Sequence, residues 1–227
     1  MTKIPPGLQR WLGGGRTGVK VCGFTREEDV WAAVHAGVDA LGFNFYPQSR
    51  RAVQLEEVAV WVARLPEDVG RVAVVVQPDE TLLRALRESG LFHALQFHGG
   101  EDPATCAQWG GNFYVKARAV SDENSAEEAR QDPAPCLLLD AHAPGVFGGT
   151  GRVIDWSLAA RVVRQAGRPV VLSGGLQPDN VGEAVAAVRP VAVDTASGVE
   201  SAPGLKDAAK MQAFVASVRG ATGARPS

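Results

Sequence analysis

No two cysteines in this chain stand at the spacing of a metal or redox site. Cys22, Cys106 and Cys136 are an odd number set far apart, and no CxxC or CxxH pair occurs. The pattern excludes a disulfide framework and structural zinc, and it fits a reducing compartment. The chain also lacks a run of about 18 apolar residues, the length a membrane-crossing helix needs. It lacks an excess of charge of either sign, with 23 basic and 25 acidic residues and a net charge of −2. No global field therefore attracts nucleic acid or an anionic membrane. A local phosphate pocket built from backbone amides is not excluded. Residues 1–17 carry Lys3, Arg10, Arg16, two prolines and the run Gly13-Gly14-Gly15, without a continuous apolar core. That argues against a signal peptide and predicts a mobile extension ahead of the first strand. A cytoplasmic protein is expected.

What the sequence does have is rhythm. Short apolar runs occur at Val19–Cys22, Ala40–Phe45, Val72–Val76, Ala94–Phe97, Tyr114–Val115, Cys136–Leu139, Val170–Leu172 and Val191–Val193. They are rich in Val and Leu without clean polar alternation, as parallel strands buried on both faces are. Helical spacing of apolar residues fills the gaps at Glu27–His35, Leu55–Leu65, Glu80–Ser89, Asp155–Gln165, Asn180–Val188 and Ala208–Val218. Gly37 and Gly90 stop two of these helices. Strand, loop and helix repeated eight times means a parallel sheet with right-handed crossovers. At 227 residues, closure into a single (β/α)₈ (TIM) barrel is the better prediction than an open sheet, since such barrels run to about 250 residues as one core. The barrel domain is expected over residues 18–220, with a tail at 221–227 and no second domain.

In such a barrel, chemistry sits where strands end and βα loops begin. The first strand ends in Lys20-Val21-Cys22-Gly23. A cysteine there is either a small buried hydrophobe or a reactive group at the mouth. Cys136 begins the sixth strand at the opposite end, and Cys106 lies in a helical stretch, so both read as structural. The sixth strand ends in three leucines and Asp140. A carboxylate adjoining an apolar core must be paired, liganded or protonated. It can be a loop-ordering acceptor or a catalytic acid. The segment after it is long and holds Gly145, Gly148, Gly149 and Gly151, so it can approach a ligand closely or act as a lid.

The seventh strand ends in Ser173-Gly174-Gly175-Leu176, and the eighth in Asp194 followed by Ala196-Ser197-Gly198-Val199-Glu200. Small residues after the last two strands suit a phosphate held by backbone N–H groups and a short helix N-terminus. Alternatively the glycines only make tight turns. An arginine of the Arg50-Arg51 pair, after the second strand, is either a solvated loop charge or a bidentate clamp for a carboxylate. His98, in Gln96-Phe97-His98-Gly99, is a polar site group or a structural histidine. His35, His93 and His142 have no partner at metal-ligand spacing, and no metal is expected.

Taken together these segments resemble the phosphoribosylanthranilate isomerase family. Lys20-Val21-Cys22-Gly23-Phe24-Thr25 is similar to that family's KICGIT opening, and Leu41–Arg51 to its LGFVFYPKSPR segment. Leu95-Gln96-Phe97-His98-Gly99 is similar to LQLHG. Leu139-Asp140, Phe147–Gly151 and Ile154-Asp155-Trp156 match the sixth loop, and Ser173–Val181 with Asp194–Glu200 complete a set of six ordered motifs over residues 18–219. The resemblance implies a cofactor-independent Amadori rearrangement in tryptophan biosynthesis, in a monomer or homodimer, on a small phosphorylated substrate. It implies Cys22 as general base, Asp140 as general acid, Arg51 on the anthranilate carboxylate, and Gly174, Gly175, Ser197 and Gly198 on the phosphate. Lys20, His98 and Asp194 are supporting candidates, Lys20 because period two puts it on the Cys22 face of the strand, where its charge favours a thiolate. The chain departs from the pattern at Ala196, where the family has a serine, at Gln77 for asparagine and at Arg152 for lysine.

Two rivals follow from the same residues. A related isomerase of histidine biosynthesis performs the same rearrangement with two aspartates, which Cys22 argues against. A non-catalytic barrel that senses a phosphometabolite would keep the phosphate loops without needing both Cys22 and Asp140. The lysine–glutamate set of indoleglycerol phosphate synthase is missing.

Overall fold

A computed structural model describes residues 3–141 and 154–222. Eight parallel strands close into a barrel: β1 (Gly18–Cys22), β2 (Ala40–Asn44), β3 (Gly70–Val75), β4 (Ala94–Phe97), β5 (Val115–Ala119), β6 (Cys136–Asp140), β7 (Val170–Leu172) and β8 (Ala192–Thr195). Closure is made by β1, which pairs with both neighbours: Lys20 lies opposite Ala40 on one side and Asp194 on the other. Helices follow the strands at α2 (Glu27–His35), α3 (Leu55–Val62), α4 (Glu80–Glu88), α5 (Pro103–Gly110), α6 (Glu123–Gln131), α7 (Trp156–Gln165), α8 (Val181–Val188) and α9 (Ala208–Thr222). A short hairpin of β9 (Glu200–Ala202) and β10 (Leu205–Lys206) sits between β8 and α9. The glycine-rich segment expected to approach the ligand, with His142 and Arg152, falls in residues 142–153, outside the described residues.

The period of two along each strand sorts the core into two clusters. Val19, Val21, Leu41, Phe43, Ala73, Val75, Leu95, Phe97, Leu137, Leu139, Leu172 and Val193 pack outward against the helices. Ala40, Val72, Val74, Ala94, Val115, Ala117, Cys136, Leu138, Val171 and Ala192 fill the barrel itself, with Cys22 packed against them. Lys20, Cys22, Asp140 and Asp194 share the inward parity, so the candidate residues point into the barrel.

Strand β5 runs further than the expected Tyr114–Val115. Its outward residues Lys116 and Arg118 broke the apolar run, and each is neutralised: Lys116 Nζ lies 2.7 Å from Glu101, and Arg118 Nε 2.6 Å from Asp132. Helix α6 carried no apolar signal because only Ala126 and Ala129 are buried; Asp122 caps it.

The N-terminal segment departs from expectation. Instead of a free extension, residues Pro6–Leu8 form a 3₁₀ turn and Gln9–Leu12 a helical turn, α1. Leu8, Trp11 and Leu12 are buried among the residues that fill the barrel. The apolar spacing 8, 11, 12 is helical, and the barrel's open lower end offers a place to bury it. Asp39, fully buried, accepts from Arg10 Nε (2.9 Å), Arg16 Nη1 and Nη2 (2.9 and 2.7 Å), Arg219 Nη2 (2.7 Å) and the Val19 amide (2.8 Å). One carboxylate thus ties the N-terminal segment and α9 to the barrel floor. Among the described residues no helix is long and apolar enough to cross a membrane.

Candidate active site

Cys22 is the last residue of β1 and is partly exposed. Its side chain crosses the face of β2 where Gly42 stands: a β-carbon on Gly42 would sit 2.7 Å from Cys22 Sγ and 3.1 Å from Lys20 Nζ. A glycine here makes the room in which thiol and ammonium meet. Lys20 is fully buried, and its Nζ donates to Asp194 Oδ1 at 2.8 Å. Ser173 Oγ donates to the other oxygen of Asp194 at 3.4 Å.

Burial pushes the Cys22 thiol up; Lys20 and Lys206 pull it down, Asp194 adds to the rise, and the net direction is upward. Burial lowers the Lys20 ammonium, but Asp194 and the thiol outweigh it and the net direction is up. Cys22 thus rests as a thiol beside a permanent cation. Cys106 and Cys136 differ: burial pushes them to about 11 and about 12. Both are buried.

Asp140 ends β6. His98 Nε2 stands 3.5 Å from Asp140 Oδ2, while His98 Nδ1 lies 3.0 Å from Gln96 Nε2. The Gln96 amide thus holds the ring at Nδ1 while Nε2 faces Asp140. The loop carrying His98 is pinned from outside the barrel. Glu101 accepts from the Gln77 and Gly99 amides, and Lys116 bridges Glu101 and the Gly99 carbonyl at 2.7 Å each. Gln77 holds a left-handed backbone, φ 43°, the conformation that asparagine tolerates best at this place.

The glycine loops meet above β7 and β8. Gly174 and Gly175 have φ of 88° and 67°, and a β-carbon on Gly174 would lie 2.6 Å from the Ala141 amide nitrogen. Ser197–Val199 form a 3₁₀ turn. The first amides of such a turn have no partner within it and suit an anion. Gly198 is required by close approach, since its β-carbon would meet Leu176 O at 2.0 Å; Thr195 Oγ1 donates to that same carbonyl at 2.7 Å. Arg51, Asp140, Gly174, Gly175, Asp194 and Ser197 line one cleft. Cys22, His98 and Gly198 stand beside it.

Arg51 is not a free loop charge. Its Nε and Nη2 donate to the two oxygens of Glu200, each at 2.7 Å. Glu200 also accepts from Lys206 Nζ at 2.8 Å, and Lys206 donates further to the carbonyls of Cys22 (2.6 Å) and Ala196 (3.2 Å). Sequence reasoning singled out neither Glu200 nor Lys206, although Glu200 closes the recognised Asp194–Glu200 segment. Gly23, φ 81°, lets the arginine stem cross the end of β1; a β-carbon there would be 2.4 Å from Arg51 Cδ. Among the described residues no group of three His, Cys, Asp or Glu could hold a metal ion.

The chain matches the family described as N-(5′-phosphoribosyl)anthranilate (PRA) isomerase over residues 19–217. It is 48% identical to the N-(5′-phosphoribosyl)anthranilate isomerase of Chromohalobacter salexigens, covering 89% of this chain and 94% of that protein. The isomerase of Dechloromonas aromatica is 47% identical, covering 90% and 97%. Among solved structures, phosphoribosyl anthranilate isomerase from Thermotoga maritima superposes with a TM-score of 0.83 at 37% identity, covering 90% of this chain and 99% of that one. A crystal structure of a phosphoribosyl anthranilate isomerase in complex with reduced 1-(o-carboxyphenylamino)-1-deoxyribulose 5-phosphate gives 0.81 at 36%, with the same coverage.

Proposed function

Because the chain belongs to the N-(5′-phosphoribosyl)anthranilate isomerase family, we propose that Cys22 and Asp140 perform the two proton transfers of that isomerase's reaction, without a metal or organic cofactor. The reaction is the Amadori rearrangement of N-(5′-phosphoribosyl)anthranilate to 1-(2-carboxyphenylamino)-1-deoxyribulose 5-phosphate, a step of tryptophan biosynthesis. Asp140 gives its proton to the furanose ring oxygen as the C1′–O bond breaks, and the anthranilate nitrogen takes the resulting charge as an iminium. Cys22, as thiolate, removes the proton from C2′, and the electron pair moves to the nitrogen to give an enolamine, which tautomerises to the ketone. The substrate's own nitrogen is the electron sink.

The observation that carries this reading is that β1 and β6 aim Cys22 and Asp140 inward at the mouth that the two glycine loops also border. The phosphate falls to the amides of Gly174, Gly175, Ser197 and Gly198, and the anthranilate carboxylate to Arg51. Glu200 occupies the Nε–Nη2 edge of Arg51, which leaves Nη1 and the outer Nη2 hydrogen for a second carboxylate. Lys20 and Lys206 lower the cost of the thiolate, and the iminium adds a further positive charge as it forms. His98 holds the acid side of the site through Asp140.

The test is direct. Purified protein is mixed with fresh N-(5′-phosphoribosyl)anthranilate and the substrate's fluorescence loss is followed. Cys22→Ala and Asp140→Asn should each lose at least about 10²-fold in kcat while still binding the reduced product analogue. Equal turnover by parent and Cys22→Ala would remove the thiol from the mechanism.

A further inference from the structure

The N-terminal segment lies outside the matched residues 19–217, yet its side chains enter the barrel. Trp11 is 1% exposed and packs in the cluster of inward-facing strand residues, together with Leu8 and Leu12. Its ring centroid is 6.0 Å from Lys20 Nζ, within reach of a cation–π contact. Trp11 Nε1 is buried with no hydrogen-bond partner, so packing and the ring face hold the indole, not its polar edge. The backbone is equally close: a β-carbon on Gly18 would lie 2.0 Å from Trp11 O, and one on Gly70 would lie 3.1 Å from Leu8 Cδ2. Arg10 and Arg16, on either side of Trp11, are fixed to buried Asp39.

One stack thus runs along the barrel axis. Trp11 closes the floor, Lys20 stands above it bound to Asp194, and Cys22 lies two residues further along the same strand face. A lysine inside a barrel will move toward any water that reaches it, because its ammonium is strongly hydrated. With the floor open, its four-carbon stem could turn away from Asp194 and the thiol. We propose that Pro6–Leu12 is the floor of the active site, and that Trp11 is a positioning residue that holds the Lys20 ammonium against Asp194 and beneath the Cys22 thiol. The proposal deepens the reading of Cys22 as the base and rests on it for its catalytic consequence.

Two readouts separate positioning from plain stability. The first is the pH dependence of Cys22 carbamidomethylation by iodoacetamide, followed on the Cys22 peptide by mass spectrometry and independent of turnover. The charged groups that act on this thiol are Lys20, Lys206 and Arg51 on one side of the balance and Asp194 on the other. Removing the Lys20 contribution raises the midpoint. The second is the division of an activity loss between kcat and KM. Trp11→Ala should shift the alkylation midpoint to higher pH and lower kcat on the order of tenfold, a fraction of a general-base contribution, with KM held because the phosphate and carboxylate sites lie at the other end of the barrel. Trp11→Phe, which keeps a ring face, should return both values towards the parent. Met211→Ala, in the outer core on α9, should lower the melting temperature without moving the alkylation profile.

A Trp11→Ala protein that is destabilised like Met211→Ala, but keeps the parent's alkylation profile and kcat, would overturn the proposal. If Trp11→Ala does not fold, Trp11→Leu fills the floor without a ring and is read in the same way. Should Cys22→Ala prove active, the base assignment falls, while the alkylation profile still decides whether Trp11 holds Lys20 to the thiol.

Discussion

Arg51 and Glu200 face each other through a two-point ion pair, Nε to Oε1 and Nη2 to Oε2, both at 2.7 Å. The pair joins the loop after β2 to the hairpin after β8, far apart in sequence. Both side chains are largely out of solvent, so the pair is neither screened nor mobile in the way of a surface bridge. The Glu200 carboxyl is lowered from its ordinary value: burial raises it, but Arg51 and Lys206 together outweigh that. Its role in the proposed site is to aim the guanidinium, leaving the Nη1 edge toward the cleft.

Glu200→Gln should therefore act on substrate binding. The amide keeps one acceptor but loses the second, and Lys206 loses its counter-ion as well. A KM increase of about tenfold is expected, the scale of one charge-assisted contact, with a much smaller change in kcat. Steady-state kinetics on N-(5′-phosphoribosyl)anthranilate measure it. A KM equal to the parent's would mean that Glu200 braces the hairpin only.

The thiol supplies a second prediction. Since burial leads the causes and the net shift of Cys22 is upward from 9.0, alkylation of the ligand-free protein should have its midpoint above that value. Lys20 opposes the rise, so Lys20→Met should move the midpoint higher still, and Asp194, left without its partner, pushes the same way. The charge-neutral double variant Lys20→Met with Asp194→Asn guards against simple unfolding, because removing one member of a buried pair typically costs about 3–5 kcal/mol. An unshifted midpoint in Lys20→Met would take the lysine out of the electrostatics of the base.

Asp39 predicts an acid limit to stability. Burial raises its carboxyl, but hydrogen bonds from Arg16 and Arg219 and from the Val19 amide outweigh burial, and its folded value lies below 3.8. A depressed carboxyl contributes stability that is complete above the unfolded value and is lost as pH falls through the folded one. The gap in urea midpoint between parent and Asp39→Asn should thus be constant from neutral pH down to about the model-peptide Asp range, then narrow on further acidification. At neutral pH the substitution should cost about 3–5 kcal/mol, because it strands arginines around a neutral group. A gap that does not change with pH would rule out ionisation of Asp39 as the cause.

Much of the architecture was legible because parallel strands write themselves as apolar runs; β4 and β7 were bounded to the residue. Strand β5 was shortened because Lys116 and Arg118 look exposed in a sequence and become neutral only through Glu101 and Asp132, which lie outside the strand. The floor at Trp11 was missed for a related reason: three apolar residues beside a run of glycines look like a tail until a barrel's open end exists to receive them. The position of Arg51 followed from its motif, but its partner did not, since Glu200 is 149 residues away in sequence. The pocket for the thiol was equally silent, because a glycine in a strand reads as a weak point and not as space reserved for a side chain on the neighbouring strand.

That reserved space carries the last prediction. Gly42 has a backbone conformation open to any residue, so Gly42→Ala introduces only a methyl group. The methyl would stand 2.7 Å from Cys22 Sγ and 3.1 Å from both Cε and Nζ of Lys20. The lysine is tied to Asp194, so the sulfur is the atom that moves, and rotation about its one side-chain torsion turns it away from β2. Overpacking of this kind costs on the order of 1–3 kcal/mol, leaving a folded protein. Its kcat should fall by about 10²-fold, most of a general-base contribution, while KM stays near the parent's because the glycine loops and Arg51 are untouched. Combining Gly42→Ala with Cys22→Ala should then lose little beyond Cys22→Ala alone. A double variant that multiplies the two losses would mean that the methyl acts on the site by some route other than the sulfur.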